Sequence, residues 1–139
     1  RNLLRWYTPR QFVADAARSA YGDPKLVTDT MIDRYWMLLR HPGNRAATLK
    51  RYSLPNEAPL NSRLAEIKVP TLVIWGEKDT FVPPSAGRIY ATYIAGAQSV
   101  FLAGVGHAPQ EEAPALSGGA VLAFVDELSA PPASSVAGH

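Results

Sequence analysis

Cysteine and long hydrophobic runs are both missing from this sequence. The 139 residues include no cysteine, which excludes disulfide bonds, thiolate metal sites and cysteine catalysis. The longest uninterrupted apolar stretch runs from Ala120 to Val125, far short of the ~20 residues of a membrane-spanning helix. Residues 1–7 lack the apolar core and the small-residue cleavage site of a signal peptide. We therefore predict a cytoplasmic protein without a membrane span.

Length and composition predict a single folded domain. The chain is 47% hydrophobic and 19% charged, with a formal net charge of +2, which is typical of globular proteins and not of disordered ones. At this length about two thirds of the unfolded surface can be buried on folding. A hydrophobic core is therefore possible without a metal ion.

Charge is distributed unevenly between the two halves. Residues 1–68 hold twelve Lys and Arg against six Asp and Glu, whereas residues 69–139 hold two against six. The arginines of the basic half are spread singly over helical patterns, and they accompany no nucleic-acid-binding motif. We predict that the chain does not bind nucleic acid.

The first half has helical periodicity. Thr8 is predicted to cap a helix in which Pro9 takes the first helical position and Gln11 completes a capping box; this helix runs to about Ala20. A second helix begins near Thr28, a third opens at residue 44, a short turn covers residues 62–67, and residues 54–61 form a connector. The second helix carries an apolar stripe that needs a partner surface, formed by Ile32, Tyr35, Trp36 and Leu39.

The second half predicts a parallel sheet flanked by helices. The apolar, β-branched run from Val69 to Gly76 is typical of a buried parallel strand. A helix from Pro83 to about residue 94, a strand over residues 98–102 and a helix over residues 114–128 follow. The order β-α-β-α indicates an α/β protein. Two strands would leave unpaired edges, so we expect that other strands are missing. Either a partner supplies them or the chain is the C-terminal piece of a longer protein, and we interpret Arg1 as a cut end.

Two side chains follow the predicted strands in positions that suit chemistry. Asp79 comes directly after the first strand, and His107 lies in the loop after the second, flanked by Gly104 and Gly106. If the strands are parallel neighbours, both loops open at the same sheet edge. An Asp can fix the tautomer of a His and stabilise its protonated form, so the two would make a general base.

These residues resemble the α/β-hydrolase fold family. The run from Pro70 to Asp79 followed by Val82-Pro83 is similar to the penultimate strand and acid loop of that family, and Gly106 to Pro114 is similar to its catalytic-histidine loop. The resemblance covers about residues 68–128. It implies that residues 68–128 are the C-terminal part of the core with about two strands, and that residues 1–67 are a helical cap or lid. It also implies that Asp79 and His107 are catalytic. The small and polar composition of residues 129–139 predicts a disordered tail.

The sequence departs from that family at the nucleophile. It has no Gly-x-Ser-x-Gly elbow and no His-Gly oxyanion motif. Ser117 lies after the His at a helix start with no strand before it, and Ser85 lacks the flanking glycine, so neither is predicted to be the nucleophile. We expect the nucleophile to come from a missing N-terminal region and the chain alone to be inactive.

The resemblance leaves several functions open. The first is a serine esterase or lipase-like enzyme that hydrolyses a small or medium ester; an epoxide hydrolase or dehalogenase with an Asp nucleophile is the alternative. A ligand-binding relative without catalysis and a module that dimerises through its sheet edge are the non-enzymatic alternatives. A small-molecule ester or epoxide is the implied substrate, and no metal or organic cofactor is implied.

Each candidate residue also has a structural interpretation. Asp79 could form only a turn towards Pro83, and Glu77 is a second candidate for the acid. Glu111 and Glu112 are predicted to serve the N-terminus of the following helix. Phe81 and Val82 are predicted to line an apolar pocket. Four aromatic residues are predicted to pack rather than to bind substrate: Tyr21, Tyr35, Trp36 and Tyr52.

Overall fold

The computed structural model describes residues 7–54 and 61–130. Residues 7–54 and 61–71 contain only helices and turns, as predicted. The helices are α1 (Arg10–Ala20), a 3₁₀ turn (Pro24–Leu26), α2 (Asp29–Arg40), α3 (Asn44–Ser53) and α4 (Asn61–Leu64). Residues 55–60 of the predicted connector and residues 131–139 of the predicted tail lie outside the described residues.

The remaining described residues alternate strands and helices. They form β1 (Leu72–Gly76), α5 (Pro84–Tyr93), β2 (Gln98–Leu102), α6 (Pro109–Glu112) and α7 (Pro114–Ser129). The strand predictions are confirmed within a few residues. The short helix α6 was not predicted, because its four residues are too few to show a periodic pattern.

The two strands form a parallel pair in the described part of the chain. Leu72 lies opposite Gln98, and the register continues to Gly76 opposite Leu102. Parallel strands need a crossover connection, which α5 supplies. Gly87 lets α5 approach the sheet, since a Cβ there would lie 2.6 Å from the ring of Trp75. Both strands therefore end at the same edge, as predicted.

A small core holds the first two helices together. It consists of one face of α1, the turn after it and the start of α2, and its buried residues are Ala14, Ala17, Ala20, Tyr21, Val27 and Ile32. The alanines let α2 approach α1 closely, and Ile32 is fully buried. Tyr35 packs against this cluster. The predicted apolar stripe of α2 thus has its partner surface.

The two predicted helix starts have different outcomes. Thr28 caps α2 through its hydroxyl, which accepts a hydrogen bond from the Met31 amide at 3.3 Å, as predicted. The prediction at Thr8 is wrong: α1 begins at Arg10, and no side chain caps it. Thr8 is instead buried, and its carbonyl accepts a hydrogen bond from the Trp36 indole at 2.9 Å. Packing against α2 therefore outweighs capping at this position.

The predicted packing of the aromatic residues is found for three of the four. Tyr21 is buried, and Tyr35 and Trp36 are partly buried. Tyr52, in contrast, is 83% exposed, so the packing prediction is wrong for this residue. Its helix, α3, buries none of its residues among those described.

Helix α7 runs without interruption through Gly118 and Gly119. Much of its apolar surface is exposed, including Leu116, Val121, Leu122, Val125 and Leu128. An apolar helix is normally covered by other structure. No helix among the described residues is both long enough and apolar enough to cross a membrane.

Candidate active site

The loop after β1 is organised around the carboxylate of Asp79. Oδ1 accepts hydrogen bonds from the backbone amides of Phe81 at 2.8 Å and Val82 at 2.9 Å, which is a side-chain turn of the Asx kind. Oδ2 lies 2.8 Å from Nδ1 of His107. The turn interpretation and the pairing interpretation therefore both hold, because each uses a different oxygen of the same carboxylate.

The loop after β2 brings the imidazole to that carboxylate. Gly104 has a φ of 79°, a backbone conformation that favours glycine. The Val105 carbonyl accepts a hydrogen bond from the Lys78 amide at 2.8 Å, which ties the two loops together beyond the strands. The His107 amide donates to the Ala20 carbonyl at 2.7 Å. His107 is thus held by both its own sheet and the end of α1.

The Asp79–His107 pair has one buried and one open side. The side chain of Asp79 is 4% exposed, whereas that of His107 is 43% exposed. Donation from Nδ1 to the carboxylate assigns the proton of the neutral ring to Nδ1 and leaves Nε2 as an acceptor. The described residues provide no hydrogen-bond partner for Nε2. The arrangement can therefore accept a proton at Nε2 and stabilise the resulting charge.

The surroundings of Asp79 keep it ionised. Burial alone raises the pKa of Asp79, but hydrogen bonds from the Val82 amide, His107 and the Phe81 amide outweigh it. The net result is a pKa below the ordinary value for an aspartate. At neutral pH the carboxylate is charged and can stabilise an imidazolium.

The imidazole of His107 borders two depressions. One is an open cleft of about 490 Å³ whose walls include Trp75, Asp79, Val82, Pro109 and Ser117. The other, which we call the apolar groove, is lined by α1 and the loops and includes Phe12, Ala16, Ala17, Ala20 and Phe81. The ring of Phe81 lies 5.3 Å from that of His107. Phe81 and Val82 therefore line pockets as predicted, one in each depression.

The other candidates lie apart from the pair. Glu77 is exposed, and its amide donates to the Leu102 carbonyl. Ser117 lines the open cleft, but its hydroxyl donates to the Ala113 carbonyl of its own helix at 3.0 Å. Ser85 is exposed on α5. In the described residues, Asp79 is thus the carboxylate that contacts His107.

The two glutamates after His107 do more than the sequence predicted. Glu111 Oε2 accepts hydrogen bonds from Tyr21 at 2.7 Å and Tyr35 at 2.5 Å, and it pairs with Arg34 at 2.9 Å. The hydrogen bond from Tyr35 is the main cause that lowers the pKa of Glu111, opposed by burial and helped by Tyr21 and Arg34. Burial, followed by the contact with Glu111, raises the pKa of Tyr21 far above its ordinary value.

Glu112 binds backbone rather than side chains. Its carboxylate accepts hydrogen bonds from the amides of Gly22, Gly106 and Ala108. The prediction that both glutamates serve the following helix is therefore wrong: the contact with Ala108 lies at the start of their own helix, α6, and their other contacts among the described residues do not involve α7. No local pattern could have revealed the partners Tyr21 and Gly22, because each is 90 residues away along the chain.

A metal centre has no ligand set in the part of the chain that is described. Residues 7–54 and 61–130 contain no group of three or more His, Asp or Glu side chains arranged to hold a metal ion.

Comparison with known proteins finds short matches to two curated proteins. The chain is 40% identical to Lipase 1 of Psychrobacter immobilis over 50 residues, which are 36% of this chain and 16% of the lipase. It is 42% identical over 59 residues to a 2-hydroxy-6-oxononadienedioate/2-hydroxy-6-oxononatrienedioate hydrolase of Escherichia coli O139:H28, covering 42% of this chain and 20% of that protein. The matched stretches are thus about a fifth of each relative or less.

A solved structure and a family model extend the match. The meta-cleavage product hydrolase from Pseudomonas fluorescens IP01 superposes with a TM-score of 0.74 at 22% identity, over 89% of this chain and 48% of that one. At this identity the likeness shows the fold. The model of the alpha/beta hydrolase family matches residues 1–116, a range that contains both Asp79 and His107. The chain therefore belongs to the alpha/beta hydrolase family.

Proposed function

We propose that this chain is the C-terminal part of a serine esterase or lipase-like hydrolase that acts on a small or medium ester. Residues 1–67 would form its cap, residues 68–128 the C-terminal part of its core, and residues 129–139 a tail. The observation that carries the proposal is the 2.8 Å contact between the buried carboxylate of Asp79 and Nδ1 of the half-exposed His107.

This geometry suits a general base. A serine hydroxyl placed near Nε2 of His107 would give its proton to that nitrogen as its oxygen attacks the ester carbonyl. Asp79 would stabilise the imidazolium, which then protonates the leaving alcohol. In the second half of the reaction, His107 would take a proton from water as its oxygen attacks the acyl-enzyme. It would then return that proton to the serine oxygen as the bond to the acyl group breaks and the acid is released.

The nucleophile would come from residues outside this chain. Ser117 is engaged with its own helix, and the sequence lacks a Gly-x-Ser-x-Gly elbow. The exposed apolar surface of α7 and the two-stranded sheet support the same idea, because both would be covered by further core strands and helices. We accordingly expect the chain alone to have no hydrolytic turnover.

The walls of the apolar groove favour an uncharged acyl group. Of its residues, Phe12, Ala16, Ala17 and Phe81 offer only carbon atoms beside the imidazole. Tyr35 also lines this groove, and the adjacent Arg34 is already paired with Glu111. A relative named as a dienedioate hydrolase acts on a dianion, which makes hydrolysis of a dicarboxylate the second candidate. An apolar ester fits the described walls better.

The test uses the full-length protein and a fluorophosphonate probe for activated serines, with esters of increasing acyl length as substrates. We expect labelling and turnover in the wild type, loss of both in His107→Ala, and retention of both in His41→Ala, a matched change at an exposed histidine. Turnover of an epoxide or haloalkane without labelling would instead indicate an Asp nucleophile. Ligand binding with neither labelling nor turnover would indicate a non-catalytic relative.

A further inference from the structure

One carboxylate holds the backbone on both sides of His107. Oε1 and Oε2 of Glu112 lie 2.9 and 2.8 Å from the amide nitrogen of Gly106, and Oε1 lies 3.3 Å from that of Ala108. Oε2 also accepts a hydrogen bond from the amide of Gly22 at 2.8 Å. The donors therefore come from the two residues that flank His107 and from the turn that follows α1.

The backbone of that turn closely approaches the backbone of the histidine loop. The carbonyl of Ala20 accepts the His107 amide at 2.7 Å. A Cβ on Gly106 would lie 2.2 Å from the same carbonyl oxygen, and one on Gly22 would lie 2.1 Å from the Gly104 carbonyl oxygen. No side chain fits between the two segments, so their amides depend on an acceptor that reaches the junction from elsewhere. Glu112 is that acceptor.

We propose that Glu112 is a positioning residue for His107. Its carboxylate joins the turn at residues 20–22 to the histidine loop and so fixes the position of the imidazole. This inference rests on the proposed role of His107 as the general base. Glu112 does not contact the Asp79–His107 pair; it acts on the backbone that carries the ring. Proton transfer requires Nε2 within hydrogen-bond distance of the reacting hydroxyl, so loosening this backbone slows the chemical step more than it weakens substrate binding.

The neighbouring glutamate provides a matched control. Glu111 lies in the same short helix and has the same charge, but its partners are the side chains of Tyr21, Tyr35 and Arg34. These contacts also tie α6 to the end of α1, and in addition to α2, but they involve no backbone amide beside His107. A purely structural role for both glutamates predicts similar effects from Glu111→Gln and Glu112→Gln.

The experiment compares E112Q with E111Q in the full-length protein, with kcat, KM, melting temperature and the NMR signal of the His107 Nδ1 proton as readouts. In E112Q, an NH₂ group replaces one of the two carboxylate oxygens that accept hydrogen bonds from backbone amides. This group is a donor, and it faces those amides. We expect kcat to fall by about 10- to 100-fold with KM within about twofold, and the Nδ1 proton signal to shift or broaden. E111Q should lower the melting temperature while kcat and the signal stay within error of wild type.

The outcomes separate this inference from the proposed function. A folded E112Q protein with wild-type kcat and an unchanged His107 signal overturns the positioning role. If E112Q does not fold, hydrogen exchange in the wild type decides: the Gly22 and Gly106 amides should be as protected as those paired between β1 and β2, and rapid exchange of either overturns the proposal. Wild-type turnover in His107→Ala would refute the base function alone, because the E112Q spectrum would still report on the ring.

Discussion

Replacing Asp79 with asparagine tests the pair with the smallest change in shape. The amide oxygen of Asn can still accept the hydrogen bonds from Phe81 and Val82 that Oδ1 accepts now. The atom that replaces Oδ2 is an NH₂ donor facing Nδ1 of His107, 2.8 Å away in the wild type. The ring then has to present an unprotonated Nδ1 to this donor, and its proton moves to Nε2.

Two magnitudes follow from that geometry. Because the charge-assisted hydrogen bond to Nδ1 is replaced by a neutral one and the turn is retained, the free energy of unfolding should fall by about 1 kcal/mol, the difference between the two kinds of hydrogen bond. The effect on turnover should be much larger, since Nε2 carries a proton and cannot accept one. The same substitution in a serine-protease triad lowers kcat by about 10⁴-fold, and we expect a loss of that order for Asp79→Asn.

Three assays check the expectation in the full-length protein: ester turnover, urea denaturation, and ¹⁵N NMR to assign the proton to Nδ1 or Nε2 of His107. Asp126→Asn is the matched control, since it makes the same chemical change at an exposed position on α7. The control should change neither turnover nor tautomer. The reasoning is refuted if Asp79→Asn keeps turnover within tenfold of wild type, or if the proton stays on Nδ1.

Three further results are expected. Gly106→Ala should lower the free energy of unfolding by about 3 kcal/mol or more in urea titrations, because its Cβ would lie 2.2 Å from the Ala20 carbonyl oxygen and backbone cannot easily move away; wild-type stability would contradict the close approach. Since the pKa of Asp79 is lowered, its stabilising contribution is present above about pH 3.9 and is lost as pH falls through the lower pKa of the folded state. Between pH 6 and pH 2, the melting temperature should therefore fall less steeply in Asp79→Asn than in wild type. Since the pKa of Tyr21 is raised by burial and by Glu111, its contribution to stability is present below about pH 10 and is lost above it. Between pH 9 and pH 11, Tyr21→Phe should therefore lose less melting temperature than wild type. An identical loss in the two proteins would count against the buried hydroxyl.

Local patterns predicted the elements that carry the site. The β-branched run that ends at Gly76 predicted the strand β1, and the cap at Thr28 follows from side-chain chemistry within one helical turn. Asp79 and His107 were predicted to meet because the ends of adjacent parallel strands lie at one sheet edge. The register of β1 and β2 bears out that meeting.

Other predictions failed where distant contacts compete with local preference. Thr8 had the sequence context of a helix cap, but burial and the hydrogen bond from Trp36 hold it elsewhere. Tyr52 had the spacing of a packing residue, yet it is exposed because none of the described elements covers that face of α3. A periodic pattern identifies which face of a helix is apolar, but not whether another element covers it.

The sequence by itself thus determined the order of helices and strands, the two loops that bear Asp79 and His107, and the family to which they point. These features depend on residues that are neighbours along the chain or on the regular geometry of parallel strands. Only the tertiary structure decided that Glu111 and Glu112 bind partners at the end of α1 and in α2. Those contacts join residues up to 90 positions apart, and their geometry exists only once α1 has folded against the histidine loop.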